Sequence, residues 1–598
     1  MPHQTDPAAL EEVHTKVEKA YAAWRKYSSF TQEQVDAVVE KVAAAGREHA
    51  RRLAELAVNE TGYGNVEDKT GKNLLCSEWL LKKIRGLKTV GLLREIPGEG
   101  LAEYGVSLGV IAAVVPTTNP TSTAIFKILI SLKAGNAVVI SPHPHAKGCT
   151  CETAGVLLRA ATEAGAPEGI IQRLTNPTLE ATQALMRHDR TAVILATGGF
   201  GMVRAAYSSG KPAFGVGPGN VPVLLDPSAD VSDAVAKVIQ GKSFDYGTVC
   251  SSEQSLVAEE PLREAVLAEL KRGKAYLCDS QQREALTKLL ITASGTINAK
   301  CVGQAPAKIA EMAGFQVPPD TSVLAVEIEG VGRAHPLSAE KLSPVLSLLF
   351  VKDFGAAMDA CEAVLRFGGL GHTCVIHARD EARIREYTRR MPAMRVMVNT
   401  PSPQGSVGIT TNLFPSMTLG CGAAGGNSTG DNVGPLHLIN IKRLAYWVRN
   451  PDDAFLVPAA GSAQPLAADR GLIASAVERY LSERGVRVAA GSAPPATAAA
   501  TTADIVDRFL ASKRETQTRV QPPARVCERP LSAPAPVKSA ESAKAAKSEI
   551  TIVDFVCEND VREAMRASRK IYIGPRTIVT PSARELADQH DILVVAER

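Results

Sequence analysis

Between about residues 105 and 240 the chain alternates short, unbroken apolar runs with stretches of helical periodicity, and nothing else in the sequence constrains the fold as strongly. Gly109-Val110-Ile111-Ala112-Ala113-Val114-Val115-Pro116 leads into a helical pattern through Ile125 and Leu132. Ala137-Val138-Val139-Ile140 and Ala192-Val193-Ile194-Leu195-Ala196 each lead into another. A strand with one solvated face alternates apolar and polar residues, so a run that is apolar throughout must be covered on both faces. Strand and helix in turn predict an α/β architecture with a parallel sheet between helical layers, the layout of nucleotide-binding folds.

Ahead of this block, residues 8–60 read as helical. Thr31 at N-cap and Gln34 at N3 form a capping box, and Phe30 and Val35 fit a hydrophobic staple. A second, less regular α/β block runs from about 240 to 445, with glycine-rich turns near 368–371 and 420–426. The composition then changes to Ala/Pro/Thr linker at 489–500 and again at 533–540, stretches with too little apolar surface to order themselves. Leu472, Ile473, Ala476, Val477, Tyr480 and Leu481 form one short amphipathic stripe, and Ile505, Val506, Phe509 and Leu510 another. Helices this short need a partner surface, either the parent protein or a groove on another one. A small module closes the chain: a helix around Val561, Met565 and Ser568, strand Ile571-Tyr572-Ile573, a Gly574-Pro575 turn, Ile578-Val579, and Ile592-Leu593-Val594-Val595.

Lys and Arg number 67 against 63 Asp and Glu, a formal charge of +4 that offers no electrostatic footprint for nucleic acid. No apolar run approaches the roughly eighteen residues of a membrane span. The start Met1-Pro2-His3-Gln4-Thr5-Asp6 lacks the basic-then-apolar order of a signal peptide, so a cytoplasmic location is expected. Eleven scattered cysteines do not form a disulfide framework, and Cys149 and Cys151 lack a second cluster at zinc spacing, so no metal is expected.

Four segments carry candidate chemistry. Cys250 sits in Gly247-Thr248-Val249-Cys250-Ser251-Ser252, a small polar stretch before an apolar strand, and reads either as a nucleophile or as a buried structural thiol. His372, on the turn Gly368-Gly369-Leu370-Gly371-His372, is a general base or a plain surface histidine. Thr197-Gly198-Gly199-Phe200-Gly201 follows a strand and opens a helix, where backbone N–H groups can face a pyrophosphate, although its spacing is not G-x-G-x-x-G. Gly215-Val216-Gly217-Pro218-Gly219-Asn220 is a second glycine-rich turn or a simple strand connection.

Taken in order, several segments resemble the CoA-acylating aldehyde dehydrogenases, above all the aldehyde dehydrogenase half of bifunctional aldehyde-alcohol dehydrogenases. They include 27–36, Pro116-Thr117-Thr118-Asn119-Pro120-Thr121, Ser141-Pro142-His143-Pro144, 206–213, the Cys250 segment, Glu340-Lys341-Leu342-Ser343-Pro344, Gly371-His372-Thr373, and Gly420-Cys421-Gly422 with Gly425-Gly426-Asn427-Ser428. The match covers roughly 10–450. The resemblance implies a two-lobed aldehyde dehydrogenase-like fold: a Rossmann-like cofactor-binding lobe at 1–240, a catalytic lobe at 241–425, and a return and oligomerisation segment at 426–455. An Ala/Pro-rich linker with short amphipathic helices at 456–548 and a small C-terminal module at 549–598 follow.

It further implies Cys250 as nucleophile, His372 as catalytic histidine and Asn119 as an oxyanion donor. Cofactor contacts are implied at Thr118, Ser141, Pro142, His143, Thr197, Gly198, Gly199, Gly215, Gly217 and Glu340, the last at the nicotinamide ribose. NAD is the expected cofactor and CoA the co-substrate; NADP stays open because Ser141 stands where many relatives carry a lysine for the adenosine ribose. Hydrolytic relatives carry a glutamate base where this chain has Gly215, so thiolysis rather than hydrolysis is expected. The histidine cluster of the iron-dependent alcohol dehydrogenase half is not found after about 450. Residues 571–584 resemble a module appended to enzymes of bacterial microcompartments, and the amphipathic helices on linkers resemble encapsulation peptides. The expectation is an oligomeric, NAD-dependent acylating enzyme for a short-chain aldehyde, housed in a microcompartment lumen with shell proteins as partners. A phosphorylating or reductive semialdehyde dehydrogenase, or a vestigial scaffold, are the alternatives.

Overall fold

The run at 110–115 forms the central strand of a five-stranded sheet in the computed structural model, which describes residues 6–292, 295–452, 552–556, 558–567, 569–590 and 592–595. The strand order is Ile171–Arg173, Ala137–Pro142, Val110–Val115, Thr191–Thr197, Ala213–Val216, and every neighbouring pair is parallel. All six residues of both Val110–Val115 and Ala137–Pro142 are buried, as unbroken apolar runs require. Helix Pro120–Lys133 is buried along its whole length. The capping box forms as the sequence specifies: Gln34 N–H donates to Thr31 Oγ1 at 3.3 Å and Thr31 N–H to Gln34 Oε1 at 2.9 Å.

A second, seven-stranded sheet has the order Tyr276–Cys278, Leu324–Glu327, Val345–Val351, Glu253–Glu259, Val221–Leu225, Gly371–His377, Ala393–Val398, again parallel throughout. Val221–Leu225 belongs to this sheet, and helix Val231–Ser243 shares a core with it. The change of lobe therefore falls at 217–220 and not at 240. The apolar run Val221–Leu225 continues the strand-helix alternation without a break in composition, which is why the sequence conceals the boundary. A third, antiparallel sheet joins Gly91–Ile96, Leu101–Ser107 and Ile439–Ala445, bringing the chain back onto its first lobe. Ile441, Leu444, Tyr446 and Trp447, along and just beyond its last strand, are exposed.

The chain divides into two units, Met1–Ala459 and Ala460–Arg598. In the second, Ile552–Val556, Ile571–Val579 and Leu593–Val595 make a parallel sheet with helices Glu558–Arg566 and Pro581–His590, around a small core of Val556, Val561, Ala564, Ala583, Ala587 and Ile592. The expected Gly574-Pro575 turn is instead part of one strand. Its register jumps from Ile573 opposite Val553 to Ile578 opposite Phe555, so the segment bulges, a place where a strand tolerates a proline that cannot donate. The amphipathic stripes at 472–481 and 505–510 lie outside the described residues. Among the described residues no helix is long and apolar enough to cross a membrane.

Candidate active site

Because the strands of the five-stranded sheet are parallel, their C-terminal ends open on one side. The chain leaves the central strand first toward 137–142 and later crosses to 191–197, so the loops diverge and leave a crevice at this switch of direction. A cavity of about 600 Å³ lies there. Thr118, Asn119, Ser141, Pro142, His143, Thr197, Gly198, Gly199, Gly217, Cys250 and Glu340 all line it, so both lobes contribute.

The wall suits a dinucleotide. Gly199 is the N-cap of helix Phe200–Tyr207 and has no side-chain cap, which leaves the first N–H groups of that helix to a ligand. A Cβ at Gly199 or Gly217 would meet no atom within 4 Å, so the backbone faces open space where a side chain would intrude on a ligand. Thr197 Oγ1 is buried without a hydrogen-bond partner. Ser141 contributes differently from expectation: its buried hydroxyl is hydrogen-bonded to Thr182 Oγ1 at 2.8 Å.

Gly215 does not line the cavity. It sits inside strand Ala213–Val216 and turns toward helix Phe200–Tyr207, where a Cβ would stand 2.7 Å from Val203 Cγ1 and 2.9 Å from Tyr207 Cε2. The Tyr207 hydroxyl accepts from Gly215 N–H at 3.0 Å and from Ser428 N–H at 3.2 Å, tying this strand to the 420s turn.

Cys250 is presented by a strained approach. Asp245, Tyr246 and Gly247 have φ of 47, 51 and 73°, three successive left-handed residues, and each of the two non-glycines costs about 1–2 kcal/mol. The fully buried Asp245 carboxylate holds that turn. It accepts from Asn65 N–H at 2.9 Å, Lys69 Nζ at 2.9 Å, Thr248 Oγ1 at 2.5 Å and Lys72 Nζ. Burial opposes its ionisation, but the ammonium groups of Lys72 and Lys69 outweigh burial and hold the carboxyl below its ordinary value. Lys72 Nζ also donates to Asn119 Oδ1 at 2.6 Å, and burial lowers this lysine to about 8 against the pull of Asp245.

Burial pushes the Cys250 thiol up to about 12, with Glu340 and Cys421 adding to the rise and Arg395 opposing it. Glu340 Oε1 accepts from Gly219 N–H at 3.2 Å, and burial raises its carboxyl to about 8. His372 is fully buried and is not part of the cavity wall. Its Nδ1 is hydrogen-bonded to Thr373 Oγ1 at 3.0 Å, its Nε2 is buried without a partner, and burial lowers it to about 3, so the ring is neutral. Arg395, itself buried, donates to the carbonyls of His372 at 2.9 Å, Gly420 at 2.6 Å and Gly430 at 3.0 Å.

Sequence reasoning missed Lys72, Asp245, Tyr207 and Arg395. Arg395 alone left a local signal, a cation inside the otherwise apolar strand Ala393–Val398.

A glycine-walled crevice at the switch point of a parallel sheet, with a cysteine thiol entering from a second α/β lobe, defines an aldehyde dehydrogenase-like enzyme. Residues 3–288 match the model of the aldehyde dehydrogenase family. The chain is 45% identical over 446 residues to the bifunctional aldehyde-alcohol dehydrogenase of Escherichia coli K12, covering 74% of this chain and 50% of that one; it spans about half the length of that relative. It is 49% identical to an acetylating aldehyde dehydrogenase from Geobacillus thermoglucosidasius, whose crystal structure superposes with a TM-score of 0.74 over 75% of this chain and 99% of that one. A propionaldehyde dehydrogenase from a fucose-utilisation microcompartment of Clostridium phytofermentans is 28% identical, with a TM-score of 0.67 over 73% and 97%. The chain belongs to the aldehyde dehydrogenase family, and its likeness is to acylating members.

Proposed function

We propose that this chain oxidises a short-chain aldehyde, of about two or three carbons, to its acyl-CoA, with NAD as hydride acceptor and a thioester on Cys250 as intermediate. The observation that carries the reading is Cys250 on the wall of the same cavity as the bare glycine backbone at 199 and 217. Gly198, Gly199, Thr197, Pro142 and His143 hold the dinucleotide, and Glu340 takes the ribose beside the nicotinamide. NAD, when bound, supplies a hydride acceptor and a positively charged ring.

Burial holds the Cys250 thiol up near 12, and a nearby cation favours its ionised form. Its thiolate adds to the aldehyde carbonyl, and the oxyanion that forms is met by the Cys250 N–H and by Asn119 Nδ2. Loss of hydride leaves the acyl group as a thioester on Cys250. The CoA thiol then attacks the thioester and regenerates the thiolate. His372 is assigned as the base for the CoA thiol through Nε2, which has no other partner; because the ring is buried behind the cavity wall with lowered basicity, this role requires CoA binding to open a path to it. Thiolysis is favoured over hydrolysis because position 215 supplies no carboxylate and is filled by Tyr207.

The exposed apolar residues of strand Ile439–Ala445 support a homo-oligomer. The Ala/Pro-rich segments and the C-terminal unit are assigned to packaging in a microcompartment lumen, an assignment that draws on the likeness to the Clostridium protein. NADH formation from acetaldehyde, propionaldehyde or sulfoacetaldehyde, with and without CoA, tests the activity. Sustained turnover only with CoA, abolished in Cys250→Ala, is expected; turnover without CoA would overturn the acylating reading.

A further inference from the structure

We infer that Lys72 positions the carboxamide of Asn119, fixing which face of that amide meets the oxyanion formed at Cys250. The inference rests on the thioester chemistry proposed above.

An ammonium group has hydrogens to donate and no lone pair to accept with. The atom of Asn119 that faces Lys72 Nζ at 2.6 Å must therefore be the carboxamide oxygen. The NH₂ group is thereby forced to the opposite side, where Nδ2 lies 3.0 Å from Thr118 Oγ1 and 3.4 Å from the Thr248 carbonyl. The second contact is longer than an ordinary N–H···O bond, so that hydrogen is free for a stronger acceptor formed at Cys250, two residues further along the chain. A positive charge on the amide oxygen also polarises the amide and makes its N–H the stronger donor.

Holding the Asp245 turn does not by itself require Lys72. Asp245 already has Lys69 Nζ, the Asn65 N–H and Thr248 Oγ1, and Asp68 Oδ2 accepts from the Asp245 N–H at 2.7 Å. Burying a second ammonium beside the first is unfavourable until its partners compensate, as the lowering of Lys72 by burial and by Lys69 shows. Lys69 spans Asp245 and the Thr118 carbonyl at 3.0 Å, whereas Lys72 joins Asp245, and through it the strained turn leading to Cys250, to the side chain of Asn119 itself. One ammonium thus sets nucleophile and oxyanion donor in register.

A double-mutant cycle tests this on the full chain, read as the pre-steady-state NADH burst without CoA and as the burst of p-nitrophenol released when p-nitrophenyl acetate acylates Cys250, which needs neither coenzyme nor deacylation yet passes through the same kind of oxyanion. Asn119→Ala is expected to slow both by about 10²–10³-fold, and Lys72→Met by about 10–10²-fold, with the aldehyde KM and NAD affinity retained. The double variant should be no slower than Asn119→Ala. Lys72→Gln, which keeps a donor without the charge, should fall between wild type and Lys72→Met, and serves the same cycle if Lys72→Met does not fold. Equal slowing by the Lys72 substitution in both backgrounds would overturn the inference. A wild-type burst without CoA-dependent turnover would instead sink the acylating reading and leave the cycle readable.

Discussion

The carbonyl oxygen of Cys250 lies 2.0 Å from where a Cβ on Gly219 would stand, and His372 Cγ lies 3.2 Å from the same point. Gly219 is thus the spacer between the nucleophile's backbone and the imidazole, and its N–H holds Glu340. Gly219→Ala must displace the Cys250 carbonyl, because backbone cannot swing aside as a side chain does. About a hundredfold loss of kcat in a folded protein is expected, since misplacement of a reacting group by about 1 Å costs that much. Gly217→Ala is the contrast: its Cβ meets nothing within 4 Å and projects into the cleft. Weaker coenzyme binding with smaller loss of kcat is expected there, measured by coenzyme titration beside steady-state kinetics.

The thiol of Cys250 is an acid held up at about 12 by burial and by Glu340, so its thiolate fraction in the coenzyme-free protein rises with pH throughout the working range. The rate of Cys250 alkylation by iodoacetamide should climb about tenfold per pH unit between about pH 7 and 10 without a plateau, because only the thiolate reacts. Addition of NAD should raise the rate at a fixed pH by bringing a cation beside the sulfur. A plateau near pH 8 in the coenzyme-free protein would contradict the burial argument.

Arg395 combines support and electrostatics. Arg395→Met leaves the carbonyls of His372, Gly420 and Gly430 without this donor, and buried acceptors left unpaired cost about 1–3 kcal/mol each. A stability loss of about 3 kcal/mol or more is expected in denaturant titration. Alkylation of Cys250 should also slow at a given pH, because the cation opposing the rise of the thiol is gone. Arg395→Lys should recover the alkylation rate but not the stability, as the charge returns without the planar array of donors.

The parts legible in the sequence were those written locally. Apolar runs gave the two-sided sheet, Thr31 and Gln34 gave a helix start, and glycines at 199 and 217 marked bare backbone. The lobe boundary was hidden because Val221–Leu225 is as apolar as the strands before it, and the Gly574-Pro575 pair was misjudged because a bulge admits the same residues as a turn. The support of the site was illegible for another reason. Lys72 and Asp245 are 173 residues apart in sequence, and Arg395 reaches His372 across 23. A buried charge is recognisable only once its partners are in place, and no spacing rule within one segment carries that information.

The C-terminal unit has its own core, formed by Val556, Val561, Ala564, Ala583, Ala587 and Ile592, and the described residues that line the cavity fall between Val114 and Leu342. A chain ended after Ala459 should therefore keep kcat and the KM values of the full chain. If truncation abolishes turnover while the protein remains folded, the assignment of this unit to packaging fails.

Position 215 gives the sharpest test of why water is excluded. If the absence of a glutamate there were the whole reason for thiolysis, Gly215→Glu would create hydrolytic activity. The geometry predicts otherwise: a side chain at 215 runs into Val203 Cγ1 at 2.7 Å and the Tyr207 ring at 2.9 Å, not into the cleft. Overpacking of this kind costs about 1–3 kcal/mol, and the buried carboxylate adds to that. Gly215→Glu should thus be destabilised and show no CoA-independent NADH formation. Tyr207→Phe removes the acceptor shared by Gly215 and Ser428 and should lose about 1–2 kcal/mol. Gly215→Glu combined with Tyr207→Ala clears the ring but leaves Val203 Cγ1 in the way and the side chain directed away from the cleft, so it too should show no CoA-independent turnover. Hydrolysis by Gly215→Glu alone would show that the Tyr207 ring yields and that residue identity, not packing, sets the choice between water and CoA.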